Sequence, residues 1–256
     1  MKESRLAHWE SFWQDKKDID EVYSNSDRIL RNLLAVTDLR GKKILEIGAG
    51  TGRDSFPLVK HGAEVVQLDY SPQSLRILKN LALEQHVEVT ILGGDAFSLP
   101  FRDETFDIVF HQGLLEHFRK PRAELLLREN VRVLKKGGFF LVDVPQRYHA
   151  YTLAKHVLMA FDKWFAGWER SFSIRELRRI VQAQGLTPVH SYGEWMHPSF
   201  FYRALREAAK KAGVLLPLYP RLNSSLSSLR AKMRSSLRTT VFPRYTGISI
   251  GVVGRK

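Results

Sequence analysis

Four short stretches place glycines and carboxylates where they could hold a nucleotide. The first is Ile44–Gly52, ILEIGAGTG, an apolar run that passes into Gly48, Gly50 and Gly52, with Glu46 two residues ahead. Glycine turns the backbone tightly and lets a ligand approach without a Cβ in the way. A helix after such a loop offers free N–H groups. Twenty-one residues beyond Gly48, a second run, EVVQLD, ends in Asp69. A carboxylate there can accept bonds from both hydroxyls of a ribose. Gly94-Asp95-Ala96 follow a third run, where an acid can take a bond from an adenine amino group, and His111-Gln112-Gly113 follow a fourth. A glycine loop alone also occurs in dinucleotide enzymes, whose pattern asks for a small residue at position 53. Arg53 stands there.

These residues converge only if the runs before them are strands of one sheet, because ligands of open α/β sheets sit at the carboxyl ends of strands. The pattern predicts strands at Lys43–Ile47, Glu64–Asp69, Val87–Leu92, Phe106–Phe110 and Phe139–Val144. Helices are expected between them: about Arg53 to Lys60, from Ser71-Pro72 to about Gln85, and from Pro121 to Gly137-Gly138. Ser71 serves as N-cap, with a proline in the first turn. Such alternation indicates a parallel sheet covered on both faces. Upstream, 6–38 reads as two helices, with Asp27 as N-cap of the second. Downstream, 145–172 is a long, Trp-rich connection, Ser173–Glu176 is a capping box, and Thr187–Tyr192 and Thr246–Val253 are two more strands. Helical spacing appears in 199–212, and the serine- and arginine-rich stretch after it reads equally as helix or loop.

The chain has 256 residues, 44% of them apolar, enough for one large domain and an insert. The absence of cysteine excludes disulfides, thiolate metal sites and a cysteine nucleophile, and no metal site is expected. No apolar run approaches the ~20 residues of a spanning helix. The N-terminus shows no secretory h-region, so a cytoplasmic protein, peripheral to a membrane at most, is expected. Net charge is +13, all of it in the second part: residues 1–150 carry 22 basic and 22 acidic groups, residues 151–256 carry 18 and 5. Residues 197–256 hold twelve basic residues against Glu207 alone. Such a block suits an acidic partner or is simply a solvated basic surface.

In order and spacing, EIGAGTG, VVQLDYS, GGDAFSLPF and FDIVFHQGLLEHF resemble the four motifs of class I S-adenosylmethionine-dependent methyltransferases. VLKKGGFFLVDVP is similar to the lead into their fifth strand. The likeness is to the type 11 methyltransferase-domain group, which includes quinone-biosynthesis enzymes, and covers about residues 27–195. It implies a doubly wound seven-stranded α/β sheet, the last strand antiparallel between the fifth and sixth. The domains would be N-terminal helices at 1–40, a methyltransferase domain at 41–196 and 246–256, and a basic helical insert or lid at 197–245. The cofactor implied is S-adenosylmethionine. The resemblance puts Gly48, Ala49 and Gly50 against its methionine part, with Glu46 supporting the loop or the amino group. Asp69 would hold the ribose, Tyr70 pack on the adenine, Asp95 and Ala96 meet the adenine edge, and His111 and Gln112 border the methyl sulfur.

A sulfonium methyl is already activated, so the enzyme mostly supplies alignment. A base is needed only if the acceptor must lose a proton. Candidates are His111, Glu116 and His117, with His117 favoured; its other reading is a helix-start residue that packs or caps. Beyond the fifth strand, Gln146, Arg147, Tyr148 and His149 point toward the acceptor side. Trp168-Glu169-Arg170-Ser171 resembles a stretch that borders the acceptor in quinone-type relatives. Phe161, Trp164, Phe165 and Trp168 wall an apolar pocket or pack a helix on the core. These features favour O- or C-methylation of a small or lipid-like acceptor. Alternatives are an RNA or protein methyltransferase using the basic insert, a non-catalytic cofactor- or RNA-binding module and, more remotely, a dehydrogenase. The insert could lie on an anionic membrane through Phe200, Phe201, Leu215, Leu216 and Leu218, or track RNA phosphates.

Overall fold

The structure is a computed structural model and describes residues 6–15, 27–164, 166–195, 198–219 and 223–256. Seven strands form one sheet: β1 (Lys43–Ile47), β2 (Glu64–Asp69), β3 (Thr90–Gly93), β4 (Phe106–Gln112), β5 (Leu134–Pro145), β6 (Thr187–Glu194) and β7 (Ser249–Arg255). Their order is β3-β2-β1-β4-β5-β7-β6. Neighbours from β3 to β5 pair in parallel, while β7 runs antiparallel to both β5 and β6. The doubly wound seven-stranded sheet expected from the sequence is therefore present, antiparallel strand included.

The central strands are apolar on both sides because both faces are covered. Leu45, Ile47, Val109, Phe140 and Val142 join one buried cluster with residues of α5 (Lys120–Val133) and α7 (Ile174–Ala183). Ile44, Ile108, Phe110 and Leu141 join a second with α2 (Arg28–Leu34) and α3 (Phe56–Lys60). α4 (Pro72–Glu84) packs Ile77 and Leu81 beside Phe56 and Val87. Its Ser71 hydroxyl accepts from Ser74 N at 3.2 Å, as the cap reading expected.

Several boundaries differ from the sequence pattern. Val87 donates back to Ala82 and closes α4, so β3 starts only at Thr90. Residues 53–55 are a turn, and α3 begins at Phe56. α5 ends at Val133, and Gly137-Gly138 lie inside β5. There the pairing with β4 shifts register, and a Cβ on Gly138 would come 2.8 Å from the Asp107 carbonyl. Asp27 occupies the N-cap position of α2 without capping it; its carboxylate takes Arg31 Nε at 2.8 Å instead. Ser173 caps α7, but Glu176 pairs with Arg147 and Arg170. The long connection after β5 contains α6 (Ala150–Ala160). Between β6 and β7 lie α8 (Phe200–Lys211), α9 (Ser224–Arg238) and the short α10 (Pro243–Thr246). The stretch left open as helix or loop is thus a helix, with Asn223 Oδ1 accepting from Leu226 N at 2.8 Å. The N-terminal helix α1 spans Leu6–Asp15.

Candidate active site

At the carboxyl ends of β1, β2 and β4 the chain encloses a cavity of about 650 Å³, within the roughly 300–1,000 Å³ of small-molecule sites. Glu46, Gly48, Ala49, Gly50, Asp69, Tyr70, Asp95, Ala96 and Gln112 all line it. Four loops far apart in sequence therefore meet at one place.

The glycine loop is held by its neighbours. Gly48, Gly50 and Gly52 have φ of +67°, +56° and +66°, a region that side chains disfavour. Gly48 N and Ala49 N donate to the Leu68 carbonyl at 2.8 and 3.1 Å. Asp69 braces the loop further: Oδ2 accepts from Gly50 N at 2.9 Å and Oδ1 from Ser71 N at 2.9 Å. Burial raises the Asp69 pKa, and these backbone donors oppose the rise. Asp95 Oδ1 accepts from Phe97 N at 2.9 Å and closes the third loop.

Glu46 lies under the loop, where its carboxylate takes the Ser55 hydroxyl. Burial, then the neighbouring Asp54 carboxylate, holds Glu46 well above the usual carboxylate range. Asp54 also lines the cavity, and burial pushes it up to about 6 against the pull of Arg28. The sequence reading missed Asp54, although it stands two residues after Gly52. Gln112 Oε1 is buried there without a hydrogen-bond partner. Two carboxyls with burial-raised pKa and an orphaned carbonyl suit a ligand that brings a cation and N–H donors.

The roof comes from α1, a contribution the motifs did not signal. Leu6, Trp9 and Trp13 line the cavity, and a Cβ on Gly50 would lie 3.0 Å from the Trp13 ring. Glu10 fastens α1 to the start of α4 by accepting from the Ser71 hydroxyl and, at 3.2 Å, from Gln73 N.

The three candidate bases part company. His111 is fully buried in β4, with its ring centroid 5.5 Å from that of Phe140, and it is not among the cavity lining. Burial lowers its pKa to about 3, and neither ring nitrogen has a hydrogen-bond partner. Gln112, on the next pleat, faces the cavity instead. Glu116 and His117 lie in a 3₁₀ turn, Leu115–His117, after β4. The Trp9 and His117 rings stand nearly perpendicular, their centroids 4.9 Å apart. His117 Nδ1 is 3.8 Å from Glu169 Oε1, and the other oxygen of Glu169 takes Lys155 Nζ at 2.9 Å. Burial lowers the His117 pKa, with Glu169 opposing. Burial and then Glu169 raise that of Glu116 well above the ordinary value. Glu116, His117, Glu169 and Lys155 thus form a buried polar cluster behind Trp9, and like His111 none of them is among the cavity lining. Lys155 had no sequence signal beyond helical spacing.

Lys155 is fully buried and Glu169 nearly so. Breaking a buried pair strands the surviving charge, at roughly 3–5 kcal/mol. Lys155→Met is therefore expected to lower unfolding free energy by about that amount in denaturant titrations; a loss under about 1 kcal/mol would contradict the pairing.

The residues named after β5 serve the frame. Gln146 Nε2 donates to the Tyr245 carbonyl at 2.8 Å, Arg147 pairs with Glu176, and His149 caps α6. Of the aromatic cluster, Phe161 is exposed, Trp164 lies against Tyr151, Trp168 lies under Arg119, and Phe165 falls outside the described residues.

Residues 45–142 match the Methyltransferase domain family model. A demethylmenaquinone methyltransferase of Streptomyces griseus is 41% identical over 109 residues, 42% of this chain and 45% of that protein. Residues 45–142 are thus similar to a methyltransferase domain, and they carry the central strands of a sheet with the class I methyltransferase strand order. A ubiquinone biosynthesis O-methyltransferase of Cereibacter sphaeroides is 28% identical over 173 residues, 66% of this chain and 69% of that one. A solved methyltransferase of Thermotoga maritima shares the fold at a TM-score of 0.65 and 20% identity, covering 98% of this chain and 99% of that one. The chain spans under half the length of the first relative. The methyltransferase match covers the glycine loop, Asp69, Asp95, Gln112 and His117, and stops before α6 and the insert.

Proposed function

We propose that the protein transfers a methyl group from S-adenosylmethionine to an oxygen or carbon of a small, quinone-like acceptor. The observation that supports this reading is the buried His117–Glu169–Lys155 line beside the cofactor cavity, in a chain whose relatives include quinone methyltransferases. The cofactor supplies an electrophilic methyl on sulfonium. Glu46 and Asp54 would hold its ammonium end, Asp69 its ribose, and Asp95 its adenine. Acceptor oxygens and carbons of this class carry a proton that must leave. His117, held neutral by burial, accepts that proton, and Glu169 stabilises the imidazolium that forms. Lys155 fixes Glu169 in place. Trp9, lying on His117, excludes water from above.

Binding a cationic ligand requires ionised carboxylates. Asp54 has its pKa raised to about 6, so affinity for S-adenosylmethionine is expected to climb as pH rises through about 6. Asp54→Asn should flatten that rise in calorimetric titrations; an unchanged pH slope would remove Asp54 from the site. The function itself is tested by transfer of labelled methyl into an extract separated into lipid, RNA, protein and small-molecule fractions. Label in the small-molecule or lipid fraction is expected; label in RNA or protein alone would overturn the reading.

A further inference from the structure

α9 turns its apolar side outward. Leu226, Leu229, Met233 and Leu237 recur at helical spacing and form one stripe. They are 53%, 56%, 57% and 39% exposed. Beside them the rings of Trp195 and Phe242 sit 6.0 Å apart, and these six residues, with Arg230 and Arg234, line an open groove of about 530 Å³.

The next stripe round the helix is Arg230, Arg234 and Arg238, one turn apart. Arg230 and Arg234 line the groove beside the aliphatic stripe, while Arg238 turns to the body of the protein. Arg238 Nη2 donates to Glu194 Oε1 at 2.8 Å, and the other oxygen of Glu194 takes Arg31 Nη2 at 2.8 Å. Burial and then the positive charges of Arg238, Arg230 and Arg31 pull the Arg234 pKa down, with Glu194 opposing. A crowd of guanidinium groups thus gathers round one buried carboxylate at the edge of an apolar groove. The surrounding sequence adds to it, with twelve basic residues and one acid in 197–256.

We propose that α9 and the Trp195–Phe242 groove dock on an anionic phospholipid bilayer. The aliphatic stripe enters the boundary between headgroups and acyl chains, and the flanking arginines meet phosphate. A helix of 15 residues, about 22 Å long, lies in the plane of such a surface. No described helix is long and apolar enough to cross it. RNA fits this face less well: successive bases need a run of exposed aromatic platforms, whereas the exposed stripe along α9 is aliphatic. The sequence pattern nominated other residues for insertion. Phe201 and Leu215 are exposed, Leu216 and Leu218 half-buried, and the Phe200 side chain falls outside the described residues. The proposal concerns a surface separate from the cofactor cavity and does not depend on the identity of the methyl acceptor.

The test is flotation of the full chain with phosphatidylglycerol–phosphatidylcholine vesicles beside pure phosphatidylcholine, with calorimetric S-adenosylmethionine binding as the check of folding. Flotation with the anionic vesicles only, weakened by salt, is expected. Leu229→Asp combined with Met233→Asp should reduce it by about tenfold or more while leaving cofactor binding intact; Leu229→Ala with Met233→Ala should reduce it less. Flotation of the Asp variant equal to wild type would overturn the proposal, as would no flotation of wild type. An RNA gel shift abolished by the same variant without vesicle binding would assign the face to RNA. A dimer in light scattering that the variant dissociates, again without vesicle binding, would assign it to a second copy.

Discussion

Asp69→Ala is expected to weaken S-adenosylmethionine binding by about a hundredfold or more. The carboxylate accepts from Gly50 N and Ser71 N, each at 2.9 Å, and lines the cavity. Hydrogen bonds to a charged group contribute about 1.5–3 kcal/mol each, and each 1.4 kcal/mol is about tenfold in affinity. The substitution removes the clamp on the glycine loop and, with it, the grip proposed for the ribose. Asp69→Asn keeps one carbonyl acceptor and should fall between wild type and alanine. Isothermal calorimetry measures both. A change below about tenfold for the alanine variant would mean that the loop is held by other contacts and that the ribose lies elsewhere.

His117→Ala has the second large effect, on turnover and not on cofactor affinity. A positioned base contributes about 10²–10⁴-fold, and kcat should fall by that factor. The pH profile separates this role from packing. In the native protein His117 has its pKa lowered below the usual value by burial, so it is neutral at pH 7 and activity falls only as pH drops through that lowered pKa. The acid limb should disappear in the variant, with S-adenosylmethionine affinity unchanged. A kcat within about threefold of wild type would leave His117 as a residue that only supports Trp9 and the 3₁₀ turn.

The strand-end half of the candidate site was legible because its determinants are local. A glycine at positive φ, an acid at a strand end and a serine cap each leave a mark within a few residues, and strand alternation predicts that such ends share one edge of the sheet. Gly48, Asp69, Asp95 and Gln112 could be named on that basis. Other parts depend on distant packing. Trp13 reaches Gly50 through a helix that precedes the sheet, and nothing in LAHWESFWQD says which side of the sheet it will cover. Lys155 and Glu169 pair across a connection read only as apolar and Trp-rich. His111 and Gln112 are neighbours on a strand whose successive side chains point to opposite faces; burial took His111 into the core and left Gln112 at the cavity. At Gly137-Gly138 a familiar helix-stop signal marks a close approach of β5 to the Asp107 carbonyl instead.

Calorimetry with S-adenosylmethionine and with NAD bears most directly on the central claim that this cavity holds the sulfonium cofactor. Saturable S-adenosylmethionine binding that strengthens as pH rises through about 6 and Asp54 ionises is expected, with no response to NAD. Tight NAD binding without S-adenosylmethionine binding would contradict it.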